Sequence, residues 1–256
     1  MQINREHVKD TFKNYTDGYD SSDEKIKLKI DHTYRVADLC ERIARTEGME
    51  EADVQLAWLL GMLHDVGRFE QLRQYGTFID SESIDHAQFG ADILFADGKI
   101  RDYIASDEED ALIETAIRVH SVYRIPQNLP TRTEKLAHVL RDADKIDILK
   151  VNVDVPLEEI YDVTTEELRN AEVSDKVMDS FYEHHATLRS IRCTVADHVV
   201  GHISLVFELV FQESIRIVEE QGYLEQLLHF KSDNPRTLAQ FQELREEMER
   251  YLRARN

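Results

Sequence analysis

The sequence contains few of the residues that form tight turns or covalent cross-links. Nine glycines and four prolines in 256 residues leave little material for the many turns of a β-sandwich or β-barrel. The two cysteines, Cys40 and Cys193, are too few for a disulfide framework, and we interpret both as reduced, buried, small apolar residues. The composition therefore favours an all-α fold in which helices are joined by short loops.

Positive charge and long apolar runs are also scarce. The 31 basic residues are outnumbered by 51 acidic ones, and the net charge of −20 argues against general nucleic-acid binding because such a surface repels phosphate backbones. The N-terminal stretch MQINREHVKD has no signal-peptide hydrophobic region. The most apolar late stretch, VVGHISLVFELVF, is too short to span a bilayer. We therefore expect a cytoplasmic protein that does not contact membranes.

Helical periodicity runs through nearly the whole chain. It predicts helices at 24–46, 50–66, 86–96, 109–121, 132–152, 157–171, 175–192, 195–221 and 235–254. Residues 67–84 are expected to form an irregular connection with a short helix, and Asp85 to cap the helix that follows. A change in composition at VNVDVP suggests three regions, namely an N-terminal helical extension (1–24), a motif-bearing helical core (25–152) and a C-terminal helical region that packs on or covers the core (153–256).

Six ionisable residues lie on the apolar faces of predicted helices or at their ends. They are His32, His64, Asp65, His86, His120 and Asp144. An unpaired buried polar group costs roughly 2–7 kcal/mol, so these side chains need partners. They could hydrogen-bond to one another, or they could bind a divalent metal, since mixed histidine and carboxylate sets suit Mn, Fe, Co, Ni or Zn. Six ligands exceed what one tetrahedral zinc needs and match a two-metal site with a bridging carboxylate.

The strings around these residues resemble one known family. HTYRVADLC, HDVGRFEQ, DHAQFGADIL and RDADKIDIL are similar, in this order, to the motif blocks of the HD superfamily of metal-dependent phosphohydrolases in its six-ligand form. The resemblance covers about residues 25–150 and implies an HD-domain helical core with additional C-terminal helices. It also implies a first metal held by His32, His64, Asp65 and Asp144, and a second held by His86 and His120 with Asp65 bridging.

Asp142 competes with Asp144 for the last ligand position. Helical phase favours Asp144, since it places Asp142 on a polar face with His138 and Lys145. The cofactor is expected to be one or two divalent ions (Mn, Fe, Co, Ni, Mg or Zn), with Asp65 at the catalytic centre.

The expected reaction is cleavage of a phosphate mono- or diester of a small metabolite or nucleotide by metal-bound hydroxide. Three cations, Arg35, Arg68 and Lys145, lie near the motifs and are candidates for binding the substrate phosphate, and Arg68 is also assigned a catalytic role. Two alternatives remain open. One is a mixed-valence di-iron oxygenase of the same superfamily, and the other is a non-catalytic nucleotide-binding regulator.

Two further histidines, His198 and His202, have the i, i+4 spacing of a metal pair on a helix. No acid or third histidine has an obvious place beside them, so we interpret them as core or cleft-lining residues. Arg189 and Arg192 precede them. We interpret these as surface arginines, which would reach substrate only if the C-terminal half covers the site.

Overall fold

The computed structural model describes residues 3–255, and these residues form helices and no strands. This confirms the all-α prediction. The helices up to residue 154 are α1 (Arg5–Thr16), α2 (Glu24–Thr46), α3 (Glu51–Leu63), α4 (Val66–Tyr75), α5 (His86–Ala91), α6 (Ile100–Tyr103), α7 (Asp110–Val119) and α8 (Thr131–Asp154). Those that follow are α9 (Leu157–Tyr161), α10 (Thr165–Asn170), α11 (Asp175–Tyr182), α12 (Val195–Ile203), α13 (Gln212–Gln221), α14 (Tyr223–Leu228) and α15 (Pro235–Arg255).

The described chain divides into two compact units. One ends at Asp144 and the other begins at Lys145, so the division falls inside α8. The first two residues of the predicted 1–24 extension and the last residue of the predicted 153–256 region lie outside the described residues.

Helices α2 and α3 form the centre of the first unit. Asp23 caps α2 by accepting a hydrogen bond from the backbone N–H of Lys25, and one face of α2 is buried. Helix α3 is buried on nearly every side from Val54 onward. The two helices approach so closely that a Cβ atom on Gly61 would lie 2.5 Å from the Cα of Ala37. This contact fixes the end of α3 against the middle of α2.

The helical conformation is interrupted between α3 and α4, at Asp65. Its backbone angles, φ −109° and ψ 14°, are not helical, and its side chain does not cap α4. The carboxylate is therefore free to face other helices. Residues 67–75, predicted to belong to an irregular connection, instead form the regular helix α4 together with Val66, because Val66 and Phe69 bury a common face three residues apart. Only the remainder, up to residue 85, is irregular, and it contains a 3₁₀ turn at Asp80–Glu82.

The second unit is broken into more helices than periodicity predicts. The predicted helix 157–171 is interrupted at Asp162, which adopts a left-handed conformation, and Thr164 begins α10 with a capping box to Glu167. The predicted helix 175–192 ends ten residues early, at Tyr182. The predicted helix 195–221 is divided by the 3₁₀ turn Ser204–Glu208. Periodicity alone missed these breaks because it registers the spacing of apolar residues and not a local change in backbone conformation.

The cysteine prediction is half wrong. Cys40 is fully buried, but Cys193 is exposed, since it lies in the segment that leads into the cap of α12. Within residues 3–255, none of the helices has both the length and the apolar character that a membrane span requires.

Substituting Gly61 tests the close contact between α2 and α3. We expect Gly61→Ala to lower the free energy of unfolding by about 1–3 kcal/mol, because the added methyl group overpacks a rigid helix contact. Chemical denaturation measures the change. Gly18→Ala is the matched control, since Gly18 is exposed and its Cβ would meet only a carbonyl oxygen at 3.3 Å. Equal effects of the two substitutions would contradict the packing described above.

Candidate metal centre

The six predicted site residues come from six different positions in the first unit. Most of them lie at helix ends or breaks, and only His32 and Asp144 lie within helices. His32 lies on α2, His64 follows the last residue of α3, Asp65 forms the break before α4, His86 begins α5, His120 follows α7 and Asp144 lies on α8. The four imidazoles and Asp65 are buried. The side chain of Asp144 is 16% exposed, so the cluster is open to solvent on that side.

The first group of side chains consists of His32, His64, Asp65 and Asp144. The Nε2 atoms of the two histidines lie 3.3 Å apart. Each lies 3.6 Å from Oδ2 of Asp65. Oδ1 of Asp144 lies 3.2 Å from Nε2 of His32 and 3.8 Å from that of His64. The four side chains therefore direct ligand atoms into one small space.

The second group consists of His86 and His120 and shares Asp65 with the first. The Nε2 atoms of these histidines lie 3.1 Å apart. Oδ1 of Asp65 lies 3.6 Å from Nε2 of His86, whereas Oδ2 faces His32 and His64. The two oxygens of Asp65 thus face different histidines. His32, His64 and Asp65 form one group that could hold a metal ion, and Asp65, His86 and His120 form another.

The other ring nitrogen of three histidines is held by a hydrogen-bond acceptor. Nδ1 of His64 donates to the carbonyl oxygen of Gly61 and Nδ1 of His120 to that of Ile117, both at 2.7 Å. Nδ1 of His86 donates to Oδ2 of Asp80, also at 2.7 Å. Because these acceptors have no proton to give, Nδ1 carries the hydrogen in each ring, and Nε2 of a neutral ring presents its lone pair to the cluster.

Burial keeps these rings neutral. It lowers the pKa of His86 to about 4, helped by the Arg68 charge, and it lowers the pKa of His120 to about 4, helped by His64. Burial also lowers the pKa of His64 against the attraction of Asp65 and Asp144. Neutral imidazoles with converging lone pairs repel one another unless a cation lies between them.

The donor set fits a divalent metal. Two nitrogen ligands at about 2.1 Å from one ion lie about 3.0–3.4 Å apart in octahedral or tetrahedral geometry. The Nε2 separations of 3.1 and 3.3 Å agree with this value. The carboxylates are ionised as metal binding requires. Burial alone would raise the pKa of Asp65, but Lys29 and the neighbouring rings and Arg68 hold it well below its usual range.

A hydrogen-bonded network supports the second pair from behind. Asp80 accepts from His86 and, through Oδ1, from Arg68 Nη1 at 2.7 Å and Gln71 Nε2 at 3.0 Å. It thereby fixes the orientation of the His86 ring. Asp85 accepts from the N–H groups of Ala87 and Gln88, so it caps α5 as predicted.

Sequence reasoning missed Lys29. Its Nζ donates to Oδ2 of Asp65 at 2.7 Å, and its side chain is 18% exposed. A signal was available, since Lys29 precedes His32 by three residues on α2 and so lies on the same helical face.

The three predicted cations are placed differently. Arg68 is anchored by Asp80, and its buried Nε makes no hydrogen bond to the described residues but lies 3.6 Å from Oδ1 of Asp65. Arg35 is partly buried one turn after His32 on α2. Lys145 is buried and follows Asp144 along α8.

Of the two competing aspartates, Asp144 places Oδ1 3.2 Å from Nε2 of His32. Asp142 and Lys145, which are predicted to share a polar face with His138, are buried, and His138 is partly buried.

The metal-free protein should lose stability as the pH falls from 6.5 to 4. The pKa values of His86 and His120 are about 4 in the fold and 6.5 ordinarily, so the unfolded chain binds more protons in this window and acid favours unfolding. Denaturation in a chelator at several pH values measures the effect. The double variant His86→Asn/His120→Asn should show a weaker dependence, and the exposed-site control His229→Asn should match wild type. An unchanged dependence in the double variant would contradict the buried neutral rings.

The comparisons with known proteins agree with this geometry. The sequence model of one family, the HD domain, matches residues 30–149, a range that contains all six residues of the cluster. No curated protein and no solved structure matches the chain. The family match and the buried histidine and aspartate cluster together identify residues 30–149 as an HD domain.

Proposed function

We propose that the protein is a metal-dependent phosphohydrolase that cleaves a phosphate mono- or diester of a small metabolite or nucleotide. One observation carries this proposal, namely the position of Asp65, whose Oδ2 lies 3.6 Å from Nε2 of both His32 and His64 while its Oδ1 lies 3.6 Å from Nε2 of His86. Carboxylate-bridged two-metal sites suit phosphoester hydrolysis because they can stabilise both the attacking and the leaving oxygen. HD-superfamily proteins are generally metal-dependent phosphohydrolases.

His32, His64, Asp65 and Asp144 would hold the first metal, and His86, His120 and Asp65 the second. When bound, such ions act as Lewis acids and lower the pKa of a coordinated water toward about 7. The buried hydrogen bonds at Nδ1 keep the rings in the tautomer that binds metal. The exposed edge of Asp144 is the side from which a substrate would enter.

Two cations of this chain are placed to bind the substrate's phosphoryl oxygens. Negative charge on these oxygens needs fixed positive groups at the site. Arg68 offers its unpaired buried Nε beside Asp65, while Asp80 prevents the guanidinium from turning away. The ammonium group of Lys29 contacts the other oxygen of Asp65, Oδ2. Arg35 and Lys145 remain candidates for a more distant phosphate contact.

The reaction class is tested by metal analysis of anaerobically purified protein followed by assays. A panel of nucleotides and p-nitrophenyl phosphates is incubated with Mn²⁺, Co²⁺, Ni²⁺ or Mg²⁺, and phosphate or nitrophenol release is measured. Metal-dependent release supports the proposal. A protein that contains iron, consumes O₂ and releases no phosphate from any ester would instead be an oxygenase.

Removing the shared carboxylate should abolish metal binding and turnover together. We expect Asp65→Ala to lose both, because each metal loses a ligand and the imidazoles lose the charge that balances the ions. Metal content by mass spectrometry and ester hydrolysis are measured on the same preparation. Asp38→Ala is the control, since Asp38 is exposed on α2. An Asp65→Ala protein with full metal content and activity would refute the assignment.

Removing Lys29 should separate metal binding from turnover. We expect Lys29→Met to retain its metal and to lose about 10²-fold in kcat/KM, because one charge that stabilises the transition state is gone. Lys27→Met is the matched control on the same helix, where Lys27 is exposed and pairs only with Glu24. Wild-type turnover in Lys29→Met would remove this residue from the mechanism.

A further inference from the structure

A second group of basic side chains lies in the unit that begins at Lys145. It consists of Arg189, which begins the 3₁₀ turn Arg189–Ile191, of Arg192, which follows that turn, and of His198 and His202 on α12. This group, called here the arginine cluster, shares no residue with the HD-domain match at 30–149.

Arg192 is fixed in one orientation. Its Nε donates to Oγ1 of Thr187 at 3.1 Å, and its Nη2 donates to the carbonyl oxygen of Thr187 at 2.5 Å. The guanidinium lies directly on the backbone of Gly201, where a Cβ atom would come within 2.2 Å of Cζ. In the described part of the chain, Nη1 makes no hydrogen bond. Nη1 of this fixed guanidinium therefore keeps its hydrogen-bonding capacity, although it lies beside Gly201 as Nε and Cζ do.

No carboxylate neutralises this cation. Neither Arg189 nor Arg192 forms an ion pair with any acid of the described residues. Asp197 is the acid that attracts Arg192, but its oxygens already accept hydrogen bonds from Ser174, Cys193 and Thr194. In a chain with 51 acidic and 31 basic residues, two neighbouring arginines without an acidic partner are unexpected.

His198 and His202 lie near the arginines and are uncharged. The Tyr161 ring stacks on His198 and His202 at centroid distances of 5.5 and 6.3 Å, and its hydroxyl lies 3.0 Å from Nδ1 of His202. Burial, followed by the Arg192 charge, lowers the pKa of His202 to about 3 and also lowers the pKa of His198. The positive charge of the cluster is thus carried by the arginines, and His198 is partly exposed beside them.

We propose that Arg189, Arg192 and His198 form a phosphate-binding site in this unit, built from residues that are not part of the metal cluster. A guanidinium whose Nη1 makes no hydrogen bond to the described residues can donate to a tetrahedral oxyanion, and Arg189, which is exposed, adds a second positive charge. The ligand is inorganic phosphate or the phosphate group of a small organic molecule. Binding offsets the arginine charges and so changes the surroundings of the His198 ring.

The test follows the His198 Cε1–H resonance by NMR in full-length protein with a chelator present. His198→Gln assigns the resonance. Inorganic phosphate and glycerol phosphate are titrated separately, and we expect a saturable shift together with a rise in the pKa of His198. The probe that binds more tightly identifies whether free or esterified phosphate is the ligand.

Variants decide between a specific site and general attraction. Arg192→Gln and Arg189→Gln should each weaken binding at least about tenfold, and Arg189→Gln guards against misfolding because the Arg189 side chain is exposed and makes no hydrogen bond to the described residues. The control Arg253→Gln alters an exposed arginine that pairs with Glu249 and should bind as wild type does. Asp65→Ala should also bind normally, which separates this site from the metal centre. A shift that does not saturate, or one unchanged in both arginine variants, would overturn the proposal.

Discussion

The structure depends on one electrostatic constraint, the meeting of four imidazoles in a buried space. In three of them, His64, His86 and His120, Nδ1–H donates to a hydrogen-bond acceptor, so Nε2 carries the lone pair. The Nε2 atoms lie 3.1 Å apart in the pair His86 and His120, and 3.3 Å apart in the pair His32 and His64. Such an arrangement is unfavourable without a cation. The carboxylates of Asp65 and Asp144 supply the opposite charge that a bound cation needs. The side chains of this cluster are therefore arranged as a cation-binding site within the first unit.

The fold delivers these groups mainly through interruptions in its helices. His64 and His120 follow the last turns of α3 and α7, His86 begins α5, and Asp65 occupies the break between α3 and α4. Among these positions, Asp65 has non-helical backbone angles, whereas His64 and His120 keep helical angles at the ends of their helices. The close contact of Gly61 with Ala37 places the end of α3 beside His32 on α2. Packing of ordinary apolar helices thus sets the positions of the polar cluster.

Much of the first unit could be read from the sequence, because its signals are redundant. The apolar face of α2 gave its bounds of 24–46 without error, and ionisable residues on apolar faces identified every member of the cluster. Lys29 was missed because a lysine near the polar start of a helix is usually a solvent-exposed surface residue. The second unit was harder, since its helix breaks at Asp162 and after Tyr182 are not marked by proline or glycine. The capping box from Thr164 to Glu167 was the one local signal that could have located a break.

The central claim is that Asp65 lies between two metal ions. Anomalous diffraction from crystals of the Mn²⁺-loaded protein tests this most directly. The account predicts two peaks about 3.5–4 Å apart, one beside His32 and His64 and the other beside His86 and His120, with the Asp65 carboxylate between them. Crystals in which the imidazoles are ordered as described and no metal peak appears beside them at saturating Mn²⁺ would contradict it.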